Sequence, residues 1–199
     1  MLKLLTIIIK HISKFLLFGA LFGLLGLSFT SAESADDLAA QAAEALKAKD
    51  TKTAVSLYEQ AVAADPENAE LLTDYAGSPT VRIGEVNFMA QGMVAGKMLK
   101  AYQRSVEIDP THVSGWIGLS RYYLNAPPIA GGSADKAEKY AREVLALVPF
   151  LGNTEMGLVE EKRGNNDKAA EYFQASLDEN PDYGEAKAGL ERVTEEAGA

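Results

Sequence analysis

Four prolines end four apolar stretches in the same manner: Ala63-Ala64-Asp65-Pro66, Glu107-Ile108-Asp109-Pro110, Ala146-Leu147-Val148-Pro149 and Asp178-Glu179-Asn180-Pro181. Proline lacks the amide proton a helix needs, and it pushes the residue before it toward extended backbone, so each is a helix stop. Upstream of three of these stops, at the same distance, stands a small residue: Ala54, Ala137 and Ala169. A unit that recurs every 30–45 residues or so and ends alike each time is the mark of a helical repeat array. Such a unit cannot bury its apolar face alone, so the chain is constrained to stack helical hairpins side by side. The fold class expected is all-α, and arrays of this kind present surfaces for partners more often than they perform chemistry.

The stretch 36–48 carries Leu38, Ala42, Ala45 and Leu46, and 51–64 carries Ala54, Leu57, Tyr58, Ala61 and Val62. Both follow the three-and-four spacing of one buried helix face, with Lys49-Asp50 as the break between them. Successive stops then lie 44, 39 and 32 residues apart. The first excess falls around Gly77-Ser78-Pro79, ahead of a long helical stretch over about 85–106 whose apolar side is Phe88, Met89, Met93, Met98, Leu99 and Tyr102. The second is the loop 126–133, Ala-Pro-Pro-Ile-Ala-Gly-Gly-Ser, in the middle of the third hairpin. Residues 182–196 read as a polar final helix that caps the exposed end.

The pattern resembles the tetratricopeptide repeat, whose paired helices carry small residues where they cross and a proline after the second. The third unit carries it most fully, with Trp116, Leu119 and Tyr123 on one helix, Ala137, Tyr140 and Val144 on the next, and Pro149 as the stop. The fourth has Met156-Gly157, Gly164 at the turn, Ala169, Phe173 and Pro181. The resemblance implies a solenoid of about four hairpins with a capping helix, its concave groove lined by the first helix of each pair. The segment 109–149, with its proline-rich turn and Gly-Gly, is also similar to exported bacterial proteins of this type, including the T-component of some tripartite transporters.

The start of the chain points to export. Lys3, Lys10 and Lys14 precede an uncharged run over 15–29 and then Thr30-Ser31-Ala32, the order of a secretory signal. A signal peptide over 1–32 and a repeat domain over 33–199 are expected, with an uncleaved inner-membrane anchor as the alternative. Localisation would be periplasmic or otherwise exported, and the N-terminal segment is the one expected membrane contact. Loss of 1–32 would change the net charge from −9 to about −12, with 16 basic against 28 acidic residues. That surface repels phosphate backbones, so nucleic acid is not an expected partner.

Catalysis is not expected either. The chain has no cysteine, and His112, in the turn after Pro110, is the one histidine beyond the leader. No metal ligand set, cofactor or nucleophile–base pair is apparent. The pairs Glu160-Glu161 and Glu195-Glu196 read as solvated helix faces. Gly92 and Gly96 read as a close helix contact, and Gly131-Gly132 as a loop ahead of a helix capped by Ser133 or Asp135, or as an anion site at that helix's start.

The groove is where function is expected. The side of the third unit's first helix opposite the Trp116–Tyr123 stripe presents Ile117, Arg121, Leu124 and Asn125. Arg121 would pair with a carboxylate of a partner or with a neighbouring repeat. The insertions offer Met89, Met93, Pro127, Pro128, Gly131 and Gly132 as further contacts, although methionines at helical spacing also serve as core. The function expected is a scaffold that binds a protein or peptide in its groove and assembles an envelope complex. The alternative is a solute-binding transporter component, which would need the segment 77–96 and the loop 126–133 to wall off a pocket.

Overall fold

Among the described residues, four consecutive helix hairpins and a ninth helix follow one another in a computed structural model of the chain. It describes residues 33–78 and 88–197, the side chains of 88–90 and 196–197 excepted. The leader expected over 1–32, Pro79, and the expected helix start at 85–87 lie outside the described residues. The helices are α1 (Ala35–Lys47), α2 (Thr51–Ala64), α3 (Ala69–Gly77), α4 (Phe88–Ile108), α5 (Val113–Asn125), α6 (Ala134–Leu147), α7 (Pro149–Lys162), α8 (Asn166–Glu179) and α9 (Gly184–Ala197), with a short 3-10 turn at Pro128–Ala130. Pairing runs α1 with α2, α3 with α4, α5 with α6 and α7 with α8, while α9 packs on α7 and α8. Among the described residues there is no strand and no helix long and apolar enough to cross a membrane.

Local chemistry sets the boundaries. The side chains of Ser34, Asp50, Asn68 and Ser133 each accept a bond from an amide three residues on and so cap α1, α2, α3 and α6. The residues before three of the stops, Asp65, Val148 and Asn180, share a backbone close to φ −138 and ψ 82, −139 and 94, and −134 and 86, as a following proline demands. One stop differs in use: Pro149 is the first residue of α7, a position where its missing amide leaves no helix bond unmade.

The short hairpin turns reveal a mismatch. Gly164 turns α7 into α8 at φ 78, and in the matching place between α1 and α2 stands Lys49 at φ 61. A side chain there carries a steric cost that glycine avoids. Lys49→Gly is therefore expected to raise stability by about 0.5–1 kcal/mol in a urea melt.

Ala54, Ala137 and Ala169, the alanines of the repeat, are all fully buried where helices cross. Larger rings fill the space beside them. Tyr140 of α6 stacks with both Trp116 and Tyr123 of α5, at ring separations of 6.1 and 5.5 Å. The final helix caps the array as expected, with Ala186 and Val193 on its inner face closing the core over Phe173. Gly92 and Gly96 depart from expectation. An added Cβ at either meets nothing within 4 Å, so they make no close helix contact among the described residues.

Glu160 also departs from the solvated role expected of it. It is 1% exposed, accepts from Asn165 at 2.7 Å, and pairs with Lys168 at 2.9 Å and Arg163 at 3.0 Å. Arg163 also reaches Asp135 and Glu138 on α6, which ties the third hairpin to the fourth. The Asn165 bond against opposing burial, followed by the two cations, holds the Glu160 carboxyl down at about 2. A lowered value means stability is present above the unfolded carboxyl's pKa and is lost as pH falls through the folded one. Thermal stability is thus expected to drop as pH falls from about 4.5 toward about 2, and Glu160→Gln to flatten that part of the profile.

Candidate functional site: a cavity at the enlarged turns

The turn inside a hairpin falls at the same edge of the stack in every unit, because the units stack in parallel. Three residues make it in the first and fourth hairpins, at 48–50 and 163–165. In the second and third the two helices stand further apart in the sequence, with 78–87 and 126–133 between them. The start of α4, just after the first of these, therefore neighbours the loop 126–133. At 21 residues α4 is also the longest helix among the described residues.

A cavity of about 600 Å³ opens between the start of α4 and that loop. Helix α4 supplies Gln91, Ala95, Met98 and Tyr102, while α5 contributes Ser114, Ile117, Gly118, Arg121, Tyr122 and Asn125. Thr73 of α3 closes one side, and Ala126, Pro127 and Ala130 of the long loop close another. The volume suits a drug-sized ligand or an inserted side chain, and the mix of apolar walls with a few polar groups is that of a binding site.

Local rules explain the shape. A Cβ at Gly118 would run into the Tyr102 ring, so only glycine lets that ring lie flat as the cavity's floor. Burial pushes the Tyr102 hydroxyl above its ordinary range. In the loop, Gly131 takes a left-handed backbone at φ 88, and a Cβ at Gly132 would strike the Ala126 carbonyl. Gly132 then donates to the Pro127 carbonyl at 3.2 Å and Ser133 to that of Tyr123 at 2.9 Å, which folds the loop back onto α5.

Among the described residues one charged side chain lines the cavity, and the protein already neutralises it. Arg121 donates from Nε to Glu155 Oε1 at 2.8 Å, and from Nη2 to Glu155 Oε1 at 2.6 Å and Glu185 Oε2 at 2.7 Å. Tyr183 donates to the same Glu185 oxygen at 2.9 Å, and its own hydroxyl is pushed up to about 12 by burial and that carboxylate. Burial works against the Arg121 charge, but the two carboxylates outweigh it and hold its pKa above the usual value. Glu155 is 1% exposed, and burial raises its carboxyl although Arg121 opposes the rise. The result is a fastening across the first helices of three successive units, α5, α7 and α9. His112 plays a similar part between α3 and α5, with Nε2 3.0 Å from Thr73 Oγ1.

No family model and no curated protein matches the chain. Solved structures do. It is similar to a thermophilic TPR protein of Thermus thermophilus, at 15% identity over 81% of this chain and 82% of that one, with a TM-score of 0.70. The fold is a tetratricopeptide-repeat solenoid. PilW, a widely conserved type IV pilus biogenesis factor, is alike at 20% identity over 82% of this chain and 70% of its own, TM-score 0.64. MamA is alike at 18% identity over 83% and 84%, TM-score 0.58.

Within this solenoid the expected site residues divide. Ile117, Arg121 and Asn125 come together on the cavity wall with Pro127. Asn125 also donates to the Arg121 carbonyl at 2.9 Å. Leu124 does not join them: it is 8% exposed and packs in the core with Tyr123, Ala137 and Met156. The α5 face turned to the groove is narrower than a simple opposite-side argument gives. For Arg121, the neighbouring-repeat partner is the one present, and its charge is taken up by Glu155 and Glu185.

Met93 is 70% exposed on α4, and Ile129 is 82% exposed on the loop. Met89 belongs to α4, and its side chain lies outside the described residues. Pro128 opens the 3-10 turn and is exposed, while Gly131 and Gly132 shape the loop rather than line the cavity. Tyr102, Thr73, Ser114 and Gly118 were not anticipated as site residues. Met98, expected as core or as part of an adaptable contact surface with Met89 and Met93, is buried and lines the cavity. Met98 stands twelve residues before Pro110, where the other three units have alanine. Among the described residues no group of acidic, histidine or cysteine side chains could hold a metal.

Proposed function

We propose that the chain is an exported tetratricopeptide scaffold that holds a protein or peptide partner at the groove face of α5, between the two insertions, and so assembles an envelope complex. The observation that carries this reading is the placement of Met93 and Ile129. Both are large, apolar and mostly exposed: Ile129 stands between the lining residues Pro127 and Ala130 of the loop, and Met93 stands near the start of α4, on the side of the helix turned away from Gln91 and Ala95. Water contact at both residues costs free energy that a covering partner would recover. PilW, as a pilus biogenesis factor, supports a role in assembly by likeness of fold. No catalytic step is needed: docking by shape and side-chain complementarity suffices.

The test is co-purification of partners with the full chain and with a Met93→Asp, Ile129→Asp double variant, checked for unchanged helicity. At least a tenfold loss of the same partner is expected, since rejecting two apolar contacts costs more than about 1.4 kcal/mol. Undiminished recovery would contradict the reading. Fractionation and the mass of the mature protein test export.

The cavity also favours a second reading, a solute-binding accessory of an envelope transporter, in line with the resemblance carried by the loop 126–133. A small molecule retained in native mass spectrometry, with partner recovery unaffected by the double variant, would select it over the first.

A further inference from the structure

The partner's chemistry can be read from the charges that the cavity leaves open. Arg121 cannot serve as a free anion-binding group, because Glu155 and Glu185 together carry one charge more than it does. Asp74, on α3 beside the lining residue Thr73, has neither an ion pair nor a side-chain hydrogen bond among the described residues. It lies within electrostatic reach of Tyr102 on the cavity floor, Glu70 and His112. No described basic side chain other than Arg121 lines the cavity. The site therefore combines an apolar chamber formed by Met98, Ile117, Pro127 and Ala130 with an exposed carboxylate, Asp74, next to the lining residue Thr73. The chain as a whole carries the same sign, at −9.

We infer that the cavity takes a bulky apolar side chain from an extended partner segment, and that Asp74 pairs with a lysine or arginine close to it in that segment. This rests on the scaffold reading above and narrows it to a basic, apolar peptide. An acidic segment, or one presenting a free C-terminal carboxylate, would meet Asp74 and the Glu155–Glu185 surplus with like charge and find no uncommitted cation among the described lining residues. Opposite charge speeds encounter, and the buried anchor supplies most of the affinity.

The test is selection of a random-peptide library on the full chain, followed by fluorescence anisotropy of the retained peptides. Enrichment of a large aliphatic or aromatic residue next to lysine or arginine is expected. Ala130→Trp, which fills the chamber from the loop, should weaken binding about thirtyfold or more, as loss of a buried anchor does. Asp74→Asn should weaken it up to about fivefold and reduce its dependence on salt. Ala130→Asn at the same place keeps the chamber open and controls for disturbance of the loop. A consensus that is acidic or C-terminal, or basic peptides indifferent to Ala130→Trp, would overturn this inference and leave the scaffold reading standing. A neutral small molecule retained in the chamber and displaced by Ala130→Trp would also overturn it, in favour of a solute. No enriched peptide, together with partner recovery indifferent to the Met93→Asp, Ile129→Asp variant, would overturn both.

Discussion

Phe173→Ala is expected to cost about 3–5 kcal/mol, enough to unfold a marginal array at modest urea concentration. Phe173 is fully buried, and its ring lies against two glycines of successive units, Gly157 on α7 and Gly189 on α9. A Cβ at either would come within 2.6 Å of the ring, so these two positions offer no side chain to fill the hole. The cost therefore includes the lost burial of an aromatic ring and the cavity that persists after it. Because the ring joins two units, the loss also weakens the contact on which propagation along a solenoid depends. Denaturation followed by circular dichroism should show a lower midpoint for Phe173→Ala and a smaller shift for Phe173→Leu. Equal midpoints for wild type and Phe173→Ala would contradict the packing described.

Arg121→Ala is expected to cost about 2–3 kcal/mol, below the usual range for a broken buried pair because Arg121 itself is 38% exposed. The damage falls on Glu155, which stays 1% exposed with its cation gone. Its Oε2 and the Ser120 hydroxyl already lack hydrogen-bond partners of good geometry, although the hydroxyl is near enough to favour the ionised carboxyl slightly. Burial already raises Glu155, and without Arg121 the rise is larger. For a carboxyl raised in the folded state, that state holds the proton more tightly than the unfolded chain. Stability then falls as pH rises through the folded value. The Arg121→Ala deficit should be full at neutral pH and shrink as pH is lowered toward the carboxyl's ordinary value near 4.5. Adding Glu155→Gln should recover much of the loss at neutral pH, because no charge is then stranded. A deficit that is independent of pH and untouched by Glu155→Gln would show that Arg121 contributes packing alone.

The hairpins were legible because their signals are local. Each stop is a proline, three of the four crossings carry an alanine, and the short breaks are polar, so residue type alone fixed where helices run and end. The site was legible only in part, for a physical reason in each case. The uneven stops located both enlarged connections, and Ile117, Arg121 and Asn125, expected in the groove, line the cavity together with Pro127, expected as an insertion contact. Leu124 was misplaced because a helix buried on two sides turns more than half its surface inward, and position 124 packs in the core shared with α6 and α7. The partners of Arg121 lie 34 and 64 positions away, and those of Glu160 lie in the following turn and the next helix, which no single-helix pattern encodes. Met98 in place of a fourth alanine was the trace in the sequence of the cavity floor.

The proposed partner covers the loop 126–133 and the start of α4. Site-specific photocrosslinking in the native cell tests this placement most directly, with the probe placed in turn at Met93, at Ile129 and at Glu143, an exposed residue of α6 away from the cavity lining. Adducts to one and the same partner are expected from Met93 and Ile129, and none to it from Glu143. Adducts to that partner from Glu143, with neither insertion labelled, would contradict it.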